Sequence, residues 1–276
     1  MRAVRLRSSH LPALTALLAQ APVTNLFLRD LIARRGIGNW RVEEWFGAWA
    51  GDDLVSTALL VGRPALDGPA RLGVAYGARG GCRVIGDRAR WNGPVNMLIG
   101  PREASDGLWE GLQGPTPAVC YDQRLYICRT PPPGPQEPLR LARPDELELL
   151  VALSGEMMRE DLGTDPREAE PARHRLAVKG RLDDGRTLVA DVDGEIGFVL
   201  DVGTRRPEGA QVGGTYVVPR MRGRGLASRG MRAALHRLLA EHGTVSLHVN
   251  EANVPAIRCY ENAGFERDVP FRLLIR

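Results

Sequence analysis

The chain has 276 residues, 43% hydrophobic and 25% charged, with a formal net charge of +4, and at ~100–200 residues per domain it predicts two domains. Its basic residues are arginines except for Lys179 and are interleaved with Asp and Glu, which argues against a clustered nucleic-acid surface. No apolar run approaches the ~18 residues of a membrane span and the N-terminus lacks a secretory core, so no membrane partner and a cytoplasmic location are expected.

In the first half, helices are predicted near 9–20 and 23–35, then strands near 43–50, 53–62 and 70–76. After "RLGVAYG" comes "ARGGCRVIGDRARWNGP", which predicts neither a compact glycine loop nor a clean amphipathic helix. All five tryptophans, Trp40, Trp45, Trp49, Trp91 and Trp109, lie in this half. The four cysteines, Cys82, Cys120, Cys128 and Cys259, show no CxxC spacing. They read as reduced thiols, and no metal is expected.

"RTPPPGPQEPLR", from Arg129 to Arg140, carries five prolines and a glycine and reads as a linker over 131–138. Beyond it, "LRLARPDELELLVALSG" echoes the start of the chain, "VRLRSSHLPALTALLAQ". At an offset of about 135, Arg5 meets Arg140, Leu14 meets Leu149 and Leu18 meets Leu153. An internal repeat at domain spacing fits two related domains, 1–130 and 139–276. The second half then predicts a strand at 139–142, a helix from Pro144 to about Asp161, and another through about Leu182. "RTLVADV" and "EIGFVLDV" flank the turn Asp193–Gly194 as a hairpin. A glycine-containing loop, the strand "QVGGTYVV", a long helix ending at Gly243, the strand "VSLHV", the helix "NVPAIRCYENAG" and final strands complete it. The fold class is mixed α/β (α+β), each half a mostly antiparallel twisted sheet flanked by helices.

"PRMRGRGLASRG", Pro219 to Gly230, stands between the strand and the long helix. A G-x-G-x-x-G fingerprint fails, because the third glycine would fall at Ser228 and no acidic residue closes the next strand. A G-x-x-x-x-G-K-[ST] loop fails for want of a lysine. What remains is an anion cradle. Small residues at Arg222-Gly223-Arg224-Gly225-Leu226-Ala227 let backbone N–H groups approach a ligand at a helix N-terminus, where the helix dipole favours negative charge.

Two motifs place this cradle in context. "VVPRMRGRGLA" resembles the Q/R-x-x-G-x-G/A signature of the GCN5-related N-acetyltransferase (GNAT) family at Arg222, Gly225 and Ala227. "NVPAIRCYENAGF" resembles its N-x-x-A-x-x-x-Y-x-x-x-G-F signature at Asn253, Ala256, Tyr260, Gly264 and Phe265. The resemblance covers about 139–276 and looks like the two-domain bacterial members, whose first half is a diverged copy of the same fold. It implies tandem GNAT-like domains, acetyl-CoA as co-substrate, and transfer of an acetyl group to the amine of a small molecule or peptide. A monomer or homodimer is expected.

The resemblance also implies roles. The pyrophosphate falls on the N–H groups of 222–227, the pantetheine arm along Thr215, Tyr216 and Val217, and Asn253 both caps its helix and touches the cofactor. Tyr260 is the candidate acid, since a phenol of pKa ~10 stays protonated near neutrality and can protonate a departing thiolate. Five residues before Asn253, where relatives often carry a glutamate, stands His248, a candidate base. Glu156, Glu160 and Asp161, or a chain of waters, are alternatives. A non-catalytic acyl-CoA-binding or regulatory protein with the same fold is the competing reading, which an intact Tyr260 disfavours.

Overall fold

The computed structural model describes residues 1–38, 43–62 and 71–276; Trp40 and position 70 of the strand expected over 70–76 lie outside them. The chain divides into two compact units: Met1–Tyr126 with His248–Val254 and Arg267–Arg276, and Ile127–Leu247 with Pro255–Glu266.

The first half gives β1 (Arg2–Arg5), α1 (Leu11–Ala19), α2 (Leu26–Arg35), β2 (Glu43–Ala50), β3 (Asp53–Val61), β4 (Leu72–Gly77), α3 (Arg79–Ala89), β5 (Met97–Pro101), α4 (Arg102–Leu112) and β6 (Val119–Cys128). β1 to β4 pair antiparallel in order, and β4 pairs with β5 in parallel. Strand alternation sorts the core. On β3, Leu59 packs with leucines of α1 and α2, while Ala58 and Leu60 pack with α3 and α4, as a strand covered on both faces requires.

Helix α3 occupies sequence in which the local pattern predicts no clean helix, and it packs against α4. The cause is the glycines of α3, which read as breakers and act as contact points. A Cβ on Gly86 would lie 2.5 Å from the Leu108 carbonyl oxygen, one on Gly107 2.3 Å from that of Arg79, and one on Gly111 2.0 Å from that of Arg83. The two backbones approach too closely for any side chain there. Packing repays the ~1 kcal/mol that each mid-helix glycine costs.

The second half gives β7 (Arg140–Leu141), α5 (Leu147–Leu162), α6 (Pro166–Ala169), α7 (Pro171–Asp183), β8 (Thr187–Val192), β9 (Glu195–Arg206), β10 (Gly209–Val217), α8 (Leu226–Leu239), β11 (Val245–Asn250), α9 (Val254–Asn262) and β12 (Glu266–Ile275). β7 to β10 pair antiparallel, and β10 pairs with β11 in parallel. This repeats the connectivity of the first half: a short strand, helices, three antiparallel strands, a helix and a parallel strand. The residue-level echo is less regular. Leu14 is fully buried, but its partner at the expected offset, Leu149, is 47% exposed, and Leu150 faces the core instead. The repeat is therefore out of register by one position on this helix.

Both Asp193 and Gly194 have positive φ, the backbone of a two-residue hairpin turn whose twist matches its strands. The loop expected before "QVGGTYVV" is instead a second hairpin. β9 runs to Arg206 and β10 starts at Gly209, with Ala210 and Gln211 opposite Arg205 and Thr204. Helix α8 stops at Leu239, about one turn before Gly243. Leu147, Leu150, Val178, Leu182, Val189, Ile196 and Val199 form a core between α5, α7 and the sheet.

The last strand behaves differently from the sequence expectation. Phe271 to Ile275 of β12 pair antiparallel with Pro101 to Met97 of β5, so the end of the chain completes the sheet of the first unit. The proline-rich segment is irregular from Arg129 to Leu139, as its composition requires, yet it is pinned down. Pro132 is buried and its carbonyl faces His236 Nε2 of α8 at 3.0 Å.

Candidate active site

Eight residues, 218–225, separate β10 from α8, whereas Ala78 alone separates β4 from α3. At the short junction a Cβ on Gly77 would meet the Val55 carbonyl oxygen at 2.5 Å and one on Gly81 the Ser56 hydroxyl at 2.3 Å. That turn is filled by its own neighbours. The long junction is open. Gly223 and Gly225 have φ of +76° and +72°, and nothing lies within 4 Å of a Cβ built on Gly223. Among the described residues, no backbone carbonyl accepts from the N–H groups of 223 to 228. Six consecutive donors are thus left without a backbone acceptor at the start of a 14-residue helix, where anions are favoured.

Side chains hold this loop at both ends. Leu226 is buried, and Gly230 lets α8 settle on Phe198, whose ring would be 2.7 Å from a Cβ there. Arg222 donates from Nε to the Val217 carbonyl at 2.9 Å and from Nη2 to Glu160 of α5 at 2.8 and 3.0 Å. Its guanidinium lies 5.2 Å from the ring centroid of Tyr216, whose hydroxyl donates to Glu160 at 3.1 Å. Arg222, expected among the cofactor ligands, is thus engaged by protein groups. Arg224 is exposed, and its carbonyl accepts from Arg229 Nη1 at 2.8 Å.

β10 supplies the strand beside the loop. It pairs with β11 only over Ala210–Val212, and past that point its ladder is with β9 alone. A register shift between Gly213 and Thr215, with Gly214 at φ +64°, bulges the strand there. The far edge of Thr215, Tyr216 and Val217 is left for another extended chain to pair with. Beneath the bulge sits Asp201, whose carboxylate accepts from the Thr187 hydroxyl at 2.6 Å and pairs with Arg181 at 2.9 Å. Local pattern gave no sign of this pair.

Tyr260 on α9 reaches this strand. Its hydroxyl is hydrogen-bonded to Thr215 and its ring meets Phe265 edge-on at 6.0 Å. Burial pushes its pKa well above the usual phenol range, outweighing the Thr215 bond, so the proton stays on at neutral pH. Asp161, in the last turn of α5, interacts electrostatically with Tyr260. Solvent reaches Asp161, but the surrounding protein, and then Glu160, raise its carboxyl pKa against the pull of Arg222.

The second unit therefore brings together Thr215–Val217, the loop 222–227 and Tyr260. His248 and Asn253 fall within the first unit. The His248 ring packs 4.2 Å from that of Phe271, and desolvation lowers its pKa to about 4. Asn253 stands immediately before α9, its N–H donating to the Asn250 carbonyl at 2.9 Å.

A strand that parts from its parallel neighbour, an open anion loop after it and a protonated tyrosine beside it are features shared with the GCN5-related N-acetyltransferase fold. Residues 153–265 match the model of the acetyltransferase (GNAT) family, and this part of the chain belongs to that family. Solved structures extend the likeness over the whole chain. One is an acetyltransferase of the GNAT family from Colwellia psychrerythraea, at 13% identity, 100% coverage of both chains and a TM-score of 0.58. A GCN5-related N-acetyltransferase from Sphaerobacter thermophilus matches at 18% identity, 99% of this chain, 94% of its own and a TM-score of 0.60. A tandem GNAT protein from the clavulanic acid biosynthesis pathway matches at 15% identity, 100% and 98% coverage and a TM-score of 0.60. At these identities the likeness is one of fold. No curated protein matches the chain. Among the described residues, no group of three or more His, Cys, Asp or Glu could hold a metal ion, and no helix is long and apolar enough to cross a membrane.

Proposed function

We propose that this chain is a cytoplasmic, acetyl-CoA-dependent N-acyltransferase that acts on the primary amine of a small molecule or peptide. Residues 139–276 form its acetyltransferase domain, and 1–130 are a diverged copy without a cofactor loop. The observation that carries this reading is the run of N–H groups at 223–228 that no backbone carbonyl engages, set beside the edge of the strand at 215–217, where among the described residues no further strand pairs and only the Val217 carbonyl is taken up, by Arg222. The first binds a pyrophosphate and the second pairs with the amides of a pantetheine arm. Acetyl-CoA supplies a thioester carbonyl open to attack.

The protein's own groups then have three tasks. Backbone N–H groups along β10 hold the donor and polarise its carbonyl. Tyr260, kept protonated by burial, gives its proton to the departing thiolate. A base takes the proton of the attacking ammonium. Glu156 and Glu160 are each engaged by arginines, and His248 is packed against Phe271 within the first unit, its pKa lowered by burial. Asp161, which solvent reaches and which interacts electrostatically with Tyr260, is the base we propose, its carboxyl pKa raised by the surrounding protein.

Gly225→Val tests the reading. A β-branched residue at φ +72° is strained by about 1–3 kcal/mol, and its side chain would press on Arg229 Nη1, 3.3 Å from the Cβ position. Calorimetric affinity for acetyl-CoA should fall, and thiol release with a panel of amines should fall with it. Unchanged affinity in the variant would reject the assignment of the cradle.

A further inference from the structure

The proline-rich segment is fastened to the anion loop through one arginine. Glu137, in that segment, accepts from Arg229 Nε at 2.9 Å, and its own N–H donates to the Arg229 carbonyl at 3.2 Å. From this anchor Arg229 turns its Nη1 to the Arg224 carbonyl at 2.8 Å, while its N–H donates to the Gly225 carbonyl at 3.1 Å. Both side chains are substantially covered, at 33% exposure for Arg229 and 17% for Glu137. The segment itself is fixed at its other end, where buried Pro132 faces His236 and lies 3.1 Å from the Cβ position of Gly264.

The loop needs such support. Residues 222–225 are exposed, and two of the four are glycines in the left-handed region, so the loop has little packing of its own to fix its N–H directions. An unfixed glycine turn spends much of its time pointing those donors elsewhere, and ordering it on binding costs affinity. Drawing the Arg224 carbonyl toward Arg229 orients the peptide between Arg224 and Gly225, because carbonyl and N–H of one peptide point in opposite directions. The N–H of Gly225 is therefore turned away from Arg229, toward the open side of the loop.

We propose that Glu137 is a positioning residue for cofactor binding: through Arg229 the proline-rich segment braces the loop 222–225 in its anion-receiving conformation. The segment is thus a working part of the cofactor site as well as a connector. This rests on the reading of 222–227 as the pyrophosphate cradle.

The test is Glu137→Ala in the full chain, measured with acetyl-CoA and with S-acetylpantetheine, which lacks the pyrophosphate. The loss of one net hydrogen bond's worth of order predicts about a fivefold weaker affinity for acetyl-CoA. Affinity for S-acetylpantetheine should be unchanged, and Glu137→Gln, which can still accept from Nε, should recover most of the loss. Equal losses for both thioesters would mean a general structural defect and overturn the proposal. Unchanged or tighter acetyl-CoA binding would also overturn it, since Arg229 would then act as a free positive charge. If the unaltered protein binds acetyl-CoA no better than S-acetylpantetheine, the cradle assignment itself is wrong, a failure that the parent protein alone reveals.

Discussion

Arg222 and Glu160 join the start of the anion loop to the last turn of α5, with one guanidinium nitrogen 2.8 and 3.0 Å from the two carboxylate oxygens. Both side chains are partly exposed, at 44% and 40%, so the pair adds little to global stability. Its consequence is local, because the same Arg222 also occupies the Val217 carbonyl at the end of β10. Arg222→Ala should leave the melting temperature within about 2 °C of the parent and raise the KM for acetyl-CoA severalfold. Raising salt should narrow the difference between the two proteins, since an exposed pair is screened. A titration of KM against ionic strength checks both statements.

Tyr260→Phe keeps the ring and its edge-on contact with Phe265 while removing the proton. Affinity for acetyl-CoA should change little, and kcat should fall by roughly 10², the low end of general-acid effects, because a thiolate is a moderate leaving group. Steady-state kinetics with a true acceptor amine decides it. Parent-like turnover would make Tyr260 a packing residue only.

For Asp161 the direction of the shift fixes the sign of the pH dependence. Its carboxyl pKa is raised in the folded protein, and the base must be ionised, so activity should appear as pH rises through that value. Asp161→Asn should remove this rising limb while leaving acetyl-CoA binding intact. Because folding disfavours the ionised form, the carboxyl's contribution to stability is present below the ordinary carboxylate pKa and is lost as pH rises through the raised one. The asparagine variant should therefore be no less stable than the parent at neutral pH. A kcat profile and a melting curve at two pH values test the two parts.

The junctions after β4 and β10 predict one cofactor per chain. A single residue at the first leaves no room for a cradle, and eight residues at the second make one. Calorimetry with acetyl-CoA should give a stoichiometry near one, and a value near two would reject the division of roles.

Much of this was legible in the chain because it is local. Strand alternation, the Asp193–Gly194 turn and the glycines opening α8 are each written within a few residues. Tyr260 was legible through the motif it resembles, and in the fold it meets Thr215. The glycines of α3 misled because a close helix pair and a broken helix use the same residue. Their meaning lies in a partner some twenty residues away, as Gly86 shows against Leu108. The same limit hid the bonds from Arg222 to Glu160 and from Arg229 to Glu137, and the pair under the bulge, Asp201 with Arg181. Side-chain identity gives each of these a charge and says nothing of which opposite charge it meets.

The pairing of β12 with β5 has a consequence for how the protein is made. The first unit begins early in the chain, yet one strand of its sheet comes only after the whole of the second unit. Until then β5 offers an unpaired edge, the kind that recruits strands from other chains. The nascent first unit must therefore wait, incomplete, through the synthesis of the second. Newly made chains should depend on holding chaperones for longer than the size of the first unit alone would suggest, and removal of residues 267–276 should send the product into aggregates instead of leaving a trimmed, folded protein.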